Sequence, residues 1–174
     1  MSEIIIRNFI ESDLDQVREI FFDSSTRKNF KDQVEKDLFE WKYLGFYLHQ
    51  YPSFCFIAEF AGKILGYVVG ASETWTDELI KIQPHLECFK GYFSEYPAHL
   101  HINCHADARG KGVGSELMCR IICEFNILFA PGLHIMTGVD SSNREFYRKL
   151  GFDFEVLENF NGHPIVLMGK KLRV

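Results

Sequence analysis

The stretch Arg109-Gly110-Lys111-Gly112-Val113-Gly114-Ser115 lies between an extended run, His99 to His105, and an amphipathic run, Glu116 to Phe129. Its glycines alternate with a cation and an apolar residue, so the backbone can turn sharply and a ligand can approach it closely. A helix N-terminus presents unpaired N–H groups and the positive end of a dipole, and Arg109 and Lys111 add charge. The stretch is therefore typical of a phosphate-binding loop.

The segments on both sides of this loop predict a strand and a buried helix. After the loop, Glu116, Arg120 and Glu124 recur every four positions and leave one narrow charged line for water. The other positions are apolar and are expected to be packed: Val113, Leu117, Met118, Ile121, Ile122, Phe125 and Leu128. Before the loop, Leu100 to Cys104 alternates as a strand does. Strand, glycine turn and helix therefore form one unit.

Two common phosphate-binding signatures do not fit this spacing. The Walker motif requires a glycine where His105 stands and a hydroxyl residue where Gly112 stands. The dinucleotide fingerprint lacks its third glycine, and the unit lies too far along the chain. The remaining choices are the pattern Arg109-x-x-Gly112-x-Gly114 and a glycine-rich turn that merely begins a helix.

The pattern Arg109-x-x-Gly112-x-Gly114 resembles motif A of the GCN5-related N-acetyltransferases (GNAT), in which the loop amides bind the pyrophosphate of acetyl-coenzyme A. A second stretch, Phe146-Tyr147-x-x-Leu150-Gly151-Phe152, resembles the end of the motif B of that family at the expected spacing. Where the family often has asparagine, seven residues before the tyrosine, this chain has Asp140. Together the two motifs and the hairpin before them indicate that the resemblance covers most of the chain.

This resemblance implies an α+β chain with the GNAT fold, in which a central twisted, mostly antiparallel sheet of about seven strands is flanked by helices. Pattern and turn signals predict matching elements. The strands are expected at Ile4–Ile6, Phe54–Phe60, Ile64–Gly70, Leu100–Cys104, Leu133–Val139, Phe154–Leu157 and Pro164–Leu172. The helices are expected from Ser12, as N-cap, through Phe21, from Asp32 to Leu48, after the loop until Pro131-Gly132, and from a cap at Ser141-Ser142 through a long final helix to Gly151 at C′.

The resemblance also implies which residues bind acetyl-coenzyme A as the acetyl donor. They are Ile102, Asn103, Cys104, Arg109, Gly110, Lys111, Gly112, Val113, Gly114, Ser115, Asp140 and Tyr147. The strand Leu100–Cys104 is expected to splay from Leu133–Val139 and to leave an edge for the pantetheine amides, where one N–H can polarise the thioester carbonyl. Tyr147 is the candidate general acid for the leaving thiolate.

The general base is less clearly marked. His99 and His101 lie on one face of the same strand, and histidine titrates near neutral pH, so either is a candidate, beside the alternative that both are structural. Glu59 and Glu73 are weaker options. His99, His101 and His105 have loose metal-ligand spacing that no acid or cysteine completes, so no metal site is expected. Cys104 lacks an activating base and is a poor candidate nucleophile.

The composition limits the number of domains, the class of partner and the compartment that we expect. The 174 residues, 47% of them hydrophobic, suit a single domain, 1–174, and a net charge of -5 argues mildly against binding to nucleic acid. Five cysteines without C-x-x-C pairs indicate buried thiols in a reducing compartment. The N-terminus shows no targeting signal and no run is long enough to span a membrane, so a cytoplasmic location is expected.

The leading prediction is an acetyl-coenzyme A-dependent N-acetyltransferase that acts by direct transfer on a small-molecule or peptide amine, and the resemblance allows a homodimer. The alternative is a catalytically inactive acyl-coenzyme A-binding or scaffolding domain, which Asn103 and Asp140 leave open. Tyr96–Ile102 also resembles bacterial relatives of the acetyltransferase-like domain of some O-GlcNAc hydrolases, in which an aspartate is expected at position 103. Ala71–Ala98 is assigned to the acceptor site, or else its aromatic residues cover the sheet.

Overall fold

The computed structural model describes residues 3–108 and 110–172. Among these residues the strands are β1 Ile5–Asn8, β2 Cys55–Phe60, β3 Lys63–Ala71, β4 Ala98–Cys104, β5 Gly132–Gly138, β6 Phe154–Phe160 and β7 His163–Lys171. The helices are α1 Leu14–Ser24, α2 Gln33–Glu40, α3 Phe46–Gln50, α4 Asp77–Ile82, α5 Val113–Ile127 and α6 Arg144–Lys149. The strands form one sheet in the order β1-β2-β3-β4-β5-β7-β6.

The pairs β1–β2, β2–β3, β5–β7 and β6–β7 are antiparallel, whereas β4 and β5 run parallel. The predicted fold class, a mostly antiparallel seven-stranded sheet flanked by helices, is therefore confirmed. The chain divides into two compact units: unit 1 comprises Met1–Gly70 and His101–Glu124, and unit 2 comprises Ala71–Leu100 and Phe125–Val174. That the chain forms a single domain stays a prediction.

Both predicted hairpins are confirmed, and each turns through two residues with positive φ. Ala61 (φ 50°) and Gly62 (φ 80°) join β2 to β3, and Asn161 (φ 52°) and Gly162 (φ 82°) join β6 to β7. Such turns match the right-handed twist of the two strands that they connect. The hairpin β2–β3 places Gly66 against β4, where an added Cβ would lie 2.9 Å from Cys104 Sγ.

The predicted helix from Asp32 to Leu48 is confirmed, but it contains a feature that the pattern does not show. Asp32 accepts a hydrogen bond from Glu35 N (2.9 Å) and caps α2. Between α2 and α3 the residues Trp41–Gly45 form a π-helical turn. A π-turn inserts an extra residue and rotates the side chains that follow it, and such turns are frequent at functional sites.

Two predicted helix caps are wrong. At the first cap, the carboxylate of Asp13 accepts a hydrogen bond from Ile10 N (2.9 Å) and is held by Arg7 (2.7 Å). The capping acceptor is therefore Asp13, not Ser12. Ser141 Oγ donates to Asn143 Oδ1 (2.7 Å) instead of capping a helix. The final helix α6 is accordingly short and begins only at Arg144.

The helix α5 differs from its prediction at its exposed face and at its end. Cys119 and Cys123 are exposed, and Leu128 is 53% exposed, so the predictions that they are buried are wrong. The solvent-exposed face is wider than the line of charged residues Glu116, Arg120 and Glu124, because the exposed Cys119 and Cys123 lie beside that line. The chain leaves the helix at Phe129 (φ 56°), where Ala130 N donates to Phe125 O (3.0 Å), before Pro131 is reached.

In unit 2 the segment Ala71–Ala98 packs mainly through its aromatic and aliphatic side chains. Its core residues are Leu79, Leu86, Phe89, Phe93 and Tyr96. The ring of Tyr96 stacks on Phe154 at 5.0 Å and occupies the space beside Gly169, where an added Cβ would lie 2.8 Å from it. This packing supports the alternative that the aromatic residues cover the sheet, and an acceptor role of the segment stays a prediction. No helix of the described residues combines the length and apolarity needed to cross a membrane.

Candidate active site

The chain leaves β4 through a turn that is fixed in unit 1. His105 N donates to Leu65 O (2.8 Å), and His105 Nδ1 accepts from Asp107 N (3.1 Å). A hydrogen bond from Lys63 (3.0 Å), and the charge of Lys63, hold the pKa of the Asp107 carboxyl below its usual value. This acid, which precedes the glycine loop, is therefore paired with a cation, so its charge opposes the approach of an anion less than that of an unpaired carboxylate would.

The glycine loop itself is open. Gly110 (φ 72°) and Gly112 (φ 79°) both adopt the left-handed conformation, which glycine accepts without a steric penalty. Both residues are exposed, and a Cβ added to either would meet no described atom within 4 Å. Backbone that is bare of side chains and faces open space fits the binding of a bulky anion close to the main chain.

The start of α5 supplies the hydrogen-bond donors for such an anion. Glu116 N donates to Gly112 O (3.0 Å), so the N–H groups from Gly112 to Ser115 precede the first helical hydrogen bond. The buried side chain of Val113 anchors this turn, whereas Lys111 and Ser115 are exposed. The predicted loop residues Gly110 to Ser115 thus lie together, and Arg109 lies outside the described residues.

The second half of β4, His101–Cys104, is half-buried, whereas the first half, Ala98–Leu100, is buried. Within unit 2 the parallel pairing of β4 with β5 comprises Ala98↔Leu133 and His99↔His134. That Ile102–Cys104 offers a free edge to the pantetheine arm stays a prediction. Burial raises the pKa of the Cys104 thiol to about 11, so at neutral pH it is not the thiolate that a nucleophile requires.

Three tyrosines of unit 1 surround the polar side chains of this half-strand. His101 Nε2 lies 3.0 Å from Tyr47 Oη, and the His101 ring meets the Tyr43 ring edge-on at 5.6 Å. Asn103 Nδ2 donates to Tyr67 Oη (2.7 Å), and burial raises the pKa of Tyr67 well above its usual value. We call these five residues the tyrosine cluster; Tyr47 and Tyr67 are buried, and Tyr43, His101 and Asn103 are half-buried.

Sequence reasoning placed His101 and Asn103 in the site but missed the three tyrosines. The spacing of Tyr43 and Tyr47, four residues apart, could have put both on one helical face. Alternation along β3 could likewise have put Tyr67 on the face opposite to Gly66. No local pattern shows that these two faces meet the same half of β4.

His99 lies in a different environment, in the core of unit 2. Thr74 Oγ1 lies 2.7 Å from His99 Nδ1 and donates to Pro97 O (2.7 Å). The His99 ring stacks on His134 at 5.6 Å, and His134 Nδ1 lies 2.8 Å from Tyr96 O. Burial lowers the pKa of His134 to about 4. A catalytic role of His99 stays a prediction, and its burial argues against it.

Tyr147 and Asp140 both lie in unit 2. Tyr147 is 6% exposed in α6, which ends as predicted: Gly151 at C′ has a φ of 82°, and Phe152 N donates to Tyr147 O (3.1 Å). Asp140 is exposed in the turn after β5. The acid role of Tyr147 and the donor contact of Asp140 stay predictions.

The weaker candidates lose support from their surroundings. Glu59 is paired with Arg7 (2.8 Å), which also binds Asp13, so its carboxylate is already engaged. Glu73 is exposed. Within residues 3–108 and 110–172, no three side chains of His, Cys, Asp or Glu are grouped as metal ligands would be.

An open groove of about 510 Å³ lies between the end of α1 and the start of α2. Its cations already have partners: Arg27 pairs with Glu35 (2.6 Å), and Lys28 Nζ donates to Phe22 O (2.9 Å). Lys36 Nζ lies over the Phe22 ring at 4.4 Å. The groove therefore offers no concentrated charge comparable to the helix N-terminus at the glycine loop.

Comparisons with known proteins agree with this geometry. An N-acetyltransferase of Methanocaldococcus jannaschii, named as uncharacterized, is 28% identical over 174 residues, covering 97% of this chain and 92% of that protein. The solved structure of SsHAT aligns with a TM-score of 0.76 and 20% identity, covering 97% of this chain and 98% of that one. That of yncA from Salmonella typhimurium, with its cofactor acetyl-CoA, aligns with a TM-score of 0.62 and 16% identity over 98% and 94%.

The solved structures show that the fold is shared. A match to a protein family shows to which family the chain belongs. The sequence pattern of the acetyltransferase (GNAT) family matches residues 14–152. This range includes the glycine loop, the tyrosine cluster and Tyr147. The chain belongs to the acetyltransferase (GNAT) family, whose members are acyltransferases.

Proposed function

We propose that this protein is an acetyl-coenzyme A-dependent N-acetyltransferase that acetylates a primary amine of a small molecule or peptide. The observation that carries the proposal is the open loop from Gly110 to Ser115, where two left-handed glycines precede the N-terminus of α5. Membership in the family supports acyl transfer, and the Salmonella relative was solved with acetyl-CoA. No described group of side chains favours a metal-dependent alternative.

The donor substrate would be held mainly by main-chain groups. The N–H groups from Gly112 to Ser115 would bind its pyrophosphate, with Arg109 and Lys111 adding charge. Ile102, Asn103 and Cys104 would hold the pantetheine arm through the backbone of β4. Asp140 and Tyr147 complete the proposed donor contacts.

In the proposed reaction, acetyl-coenzyme A supplies an acetyl group activated as a thioester. His101 takes a proton from the acceptor ammonium, the amine nitrogen bonds to the acetyl carbon, and the carbon–sulfur bond breaks. Tyr147 protonates the departing thiolate and regains a proton from the nitrogen, which loses its second proton as the amide forms. The products are therefore the amide, coenzyme A and the proton held by His101. Tyr147→Phe should lower turnover by roughly one to three powers of ten while donor affinity stays nearly unchanged.

The loop can be tested with a matched pair of glycine substitutions. Gly112 and Gly62 share a positive φ and open surroundings, but Gly62 lies in the β2–β3 turn. Gly112→Ala and Gly62→Ala should each destabilise the fold by roughly 1 kcal/mol. Saturating acetyl-coenzyme A should raise the melting temperature of the native protein and of Gly62→Ala, and much less that of Gly112→Ala. An equal shift in both variants would contradict the proposed loop.

Activity is tested separately from binding. Release of the coenzyme A thiol from acetyl-coenzyme A is measured across a panel of primary amines, with binding followed by calorimetry. Amine-dependent thiol release supports the enzyme. Tight donor binding without release for any amine would instead favour a non-catalytic acyl-coenzyme A-binding domain.

A further inference from the structure

Two polar atoms of the tyrosine cluster are available to a ligand. Asn103 Oδ1 and Tyr43 Oη have no hydrogen-bond partner among residues 3–108 and 110–172, and neither is among the buried unpartnered atoms. Because both residues are only half-buried, solvent reaches these two oxygens. The His101 ring, which touches Tyr43 at a ring separation of 5.6 Å, is half-buried beside them.

The buried members of the cluster fix the orientation of the exposed ones. Tyr67 Oη accepts from Asn103 Nδ2 (2.7 Å), so the amide oxygen is turned away from the sheet interior. Tyr47 Oη lies 3.0 Å from His101 Nε2, and the two rings meet edge-on at 5.0 Å. The π-turn Trp41–Gly45 supplies Tyr43, and α3, which follows it, supplies Tyr47, so both tyrosines that contact His101 lie at or just after an irregular turn. Two buried hydroxyls thus fix the orientation of the Asn103 amide and the His101 ring.

We propose that Tyr43, His101 and Asn103 form the acceptor site for a small primary amine, with Tyr47 and Tyr67 as positioning residues. This inference rests on the proposed acetyltransferase function. The amide oxygen of Asn103 and the hydroxyl of Tyr43 accept the N–H groups of the amine. Lys42 Nζ already lies over the Tyr43 ring at 4.9 Å, so the ring is assigned no cation–π contact with the amine.

The charge around the cluster explains why the site suits an amine that must lose its proton. Glu40, the carboxylate whose charge acts on Tyr67, is bound by Arg18 at 2.6 Å. Lys42 Nζ lies over the Tyr43 ring at 4.9 Å, and this cation disfavours the charged form of the amine. The ammonium is therefore held by neutral acceptors, which stabilise its charged form less than a carboxylate would. The first proton passes to His101, and the amine nitrogen then bonds to the acetyl carbon as the thioester bond to sulfur breaks. The nitrogen loses its second proton as the amide forms, and the departing thiolate takes up a proton and leaves as coenzyme A.

Amine binding is measured by calorimetry on the full chain saturated with coenzyme A, so that no turnover occurs. The probes are phenylethylamine, tyramine, spermidine, lysine amide and a short peptide with a free N-terminal alanine. Asn103→Ala should weaken the binding of the best probe roughly tenfold or more, because a hydrogen bond to a charged group is lost. Tyr43→Phe should weaken it several-fold, and Tyr51→Phe, which removes a tyrosine hydroxyl outside the cluster, should not change it.

Steady-state kinetics test the positioning role of Tyr67. Tyr67→Phe keeps the ring but removes the acceptor of the Asn103 amide, so KM for the amine should rise three- to tenfold while KM for acetyl-coenzyme A stays constant. A merely structural effect would change both constants or neither. Tyr67→Phe and Tyr43→Phe each remove only one hydroxyl group. They therefore still test the acceptor site if the Asn103→Ala protein folds poorly.

Two results would overturn the inference while sparing the proposed function. One is binding of the best probe to Asn103→Ala and Tyr43→Phe with native affinity. The other is donor binding and turnover on amines outside the panel with none of the five probes bound, since the acceptor would then be of another class. A protein that fails to bind acetyl-coenzyme A at all would instead refute the proposed function itself.

Discussion

The two halves of β4 carry the same type of side chain into opposite environments. His99, in the half Ala98–Leu100, is 3% exposed and lies 2.7 Å from Thr74. His101, two residues later, is half-buried and lies against Tyr43 and Tyr47. Both histidines lie on one face of the strand by its alternation, so orientation alone does not distinguish them. What distinguishes them is that one half is paired and covered within unit 2 and the other half reaches solvent in unit 1.

This difference makes His101 the better candidate for the proposed general base. A general base must reach the proton that it accepts, directly or through one water. The half-buried His101 is accessible in part, whereas His99 is 3% exposed and Leu133 and His134 pair with its half-strand. Closeness in sequence to the glycine loop therefore does not decide between the two histidines.

The same substitution at both histidines should give the largest contrast. His101→Gln keeps a polar group near the Nε2 position and hence a partner for Tyr47, so the fold should persist while turnover falls by about 10² or more through loss of the base. His99→Gln cannot reproduce the Nδ1 contact to Thr74, so it should destabilise the fold by about 1–3 kcal/mol and leave kcat within a few-fold.

Thiol-release kinetics and urea unfolding of both variants check this contrast. If His99→Gln abolished turnover in a folded protein and His101→Gln did not, the assignment of the two halves would have to be exchanged. Equal effects of both on turnover would show that the strand as a whole, not His101, supports catalysis.

The covered half should also make stability depend on pH. His134, which pairs with His99, has a pKa of about 4 in the folded protein against an ordinary value of 6.5. Above pH 6.5 it is neutral in both states. As pH falls toward 4, only the unfolded chain takes up the proton, so about 3 kcal/mol of stability should be lost. Below about 4 the folded chain titrates too and this loss levels off.

Urea unfolding between pH 8 and pH 4 measures this effect. His134→Asn retains a donor near the Nδ1 position but does not titrate, so its stability should fall less with pH than that of the native chain. His163→Asn, at an exposed position at the start of β7, serves as the matched control and should keep the native profile. A profile unchanged in His134→Asn would place the titrating group elsewhere.

Much of β4 and its loop could be predicted from local sequence. The alternation of Leu100 to Cys104 and the glycines after it are short-range signals, and Gly110 and Gly112 adopt the positive φ that such glycines permit. The hairpin turns followed from equally local chemistry, such as Asn161-Gly162. Elements defined by a few neighbouring residues were therefore predictable.

The remainder depends on contacts between distant residues. Thr74 is 25 residues from His99, and Tyr47 is 54 residues from His101, so neither partner is visible in a local pattern. The π-turn at Trp41–Gly45 adds a residue without interrupting the apolar composition of the helix. The cap at Asp13 depends on Arg7, whose hydrogen bonds lower the pKa of Asp13 and keep its carboxylate in the ionised form that accepts. Register and partners, unlike periodicity, are set by tertiary packing.

A pair of glycines offers a steric version of the same comparison. A Cβ at Gly66 would lie 2.9 Å from Cys104 Sγ and 3.0 Å from Asn103 O, in the half-buried second half of β4. A Cβ at Gly132 would lie 2.5 Å from Glu95 O, in unit 2. Both alanine variants should destabilise the fold by about 1–3 kcal/mol. Only Gly66→Ala should also raise KM for acetyl-coenzyme A, because it displaces the strand proposed to hold the pantetheine; equal kinetic constants in both variants would contradict that role.

Removal of the Thr74 hydroxyl should have the smallest effect on stability. It also tests most directly whether the two halves of β4 have different roles. Thr74→Val keeps the shape of the side chain but removes the hydrogen bond to Pro97 O and the hydroxyl contact with His99 Nδ1, which should destabilise the fold by about 1–2 kcal/mol. Thr74→Ser retains the hydroxyl and should lose less. Because the change is confined to the covered half, kcat and both KM values of the folded enzyme should stay at native values. A fall in kcat with Thr74→Val that Thr74→Ser restores would mean that His99 takes part in the reaction, and the division of β4 into a supporting half and a reactive half would then fail.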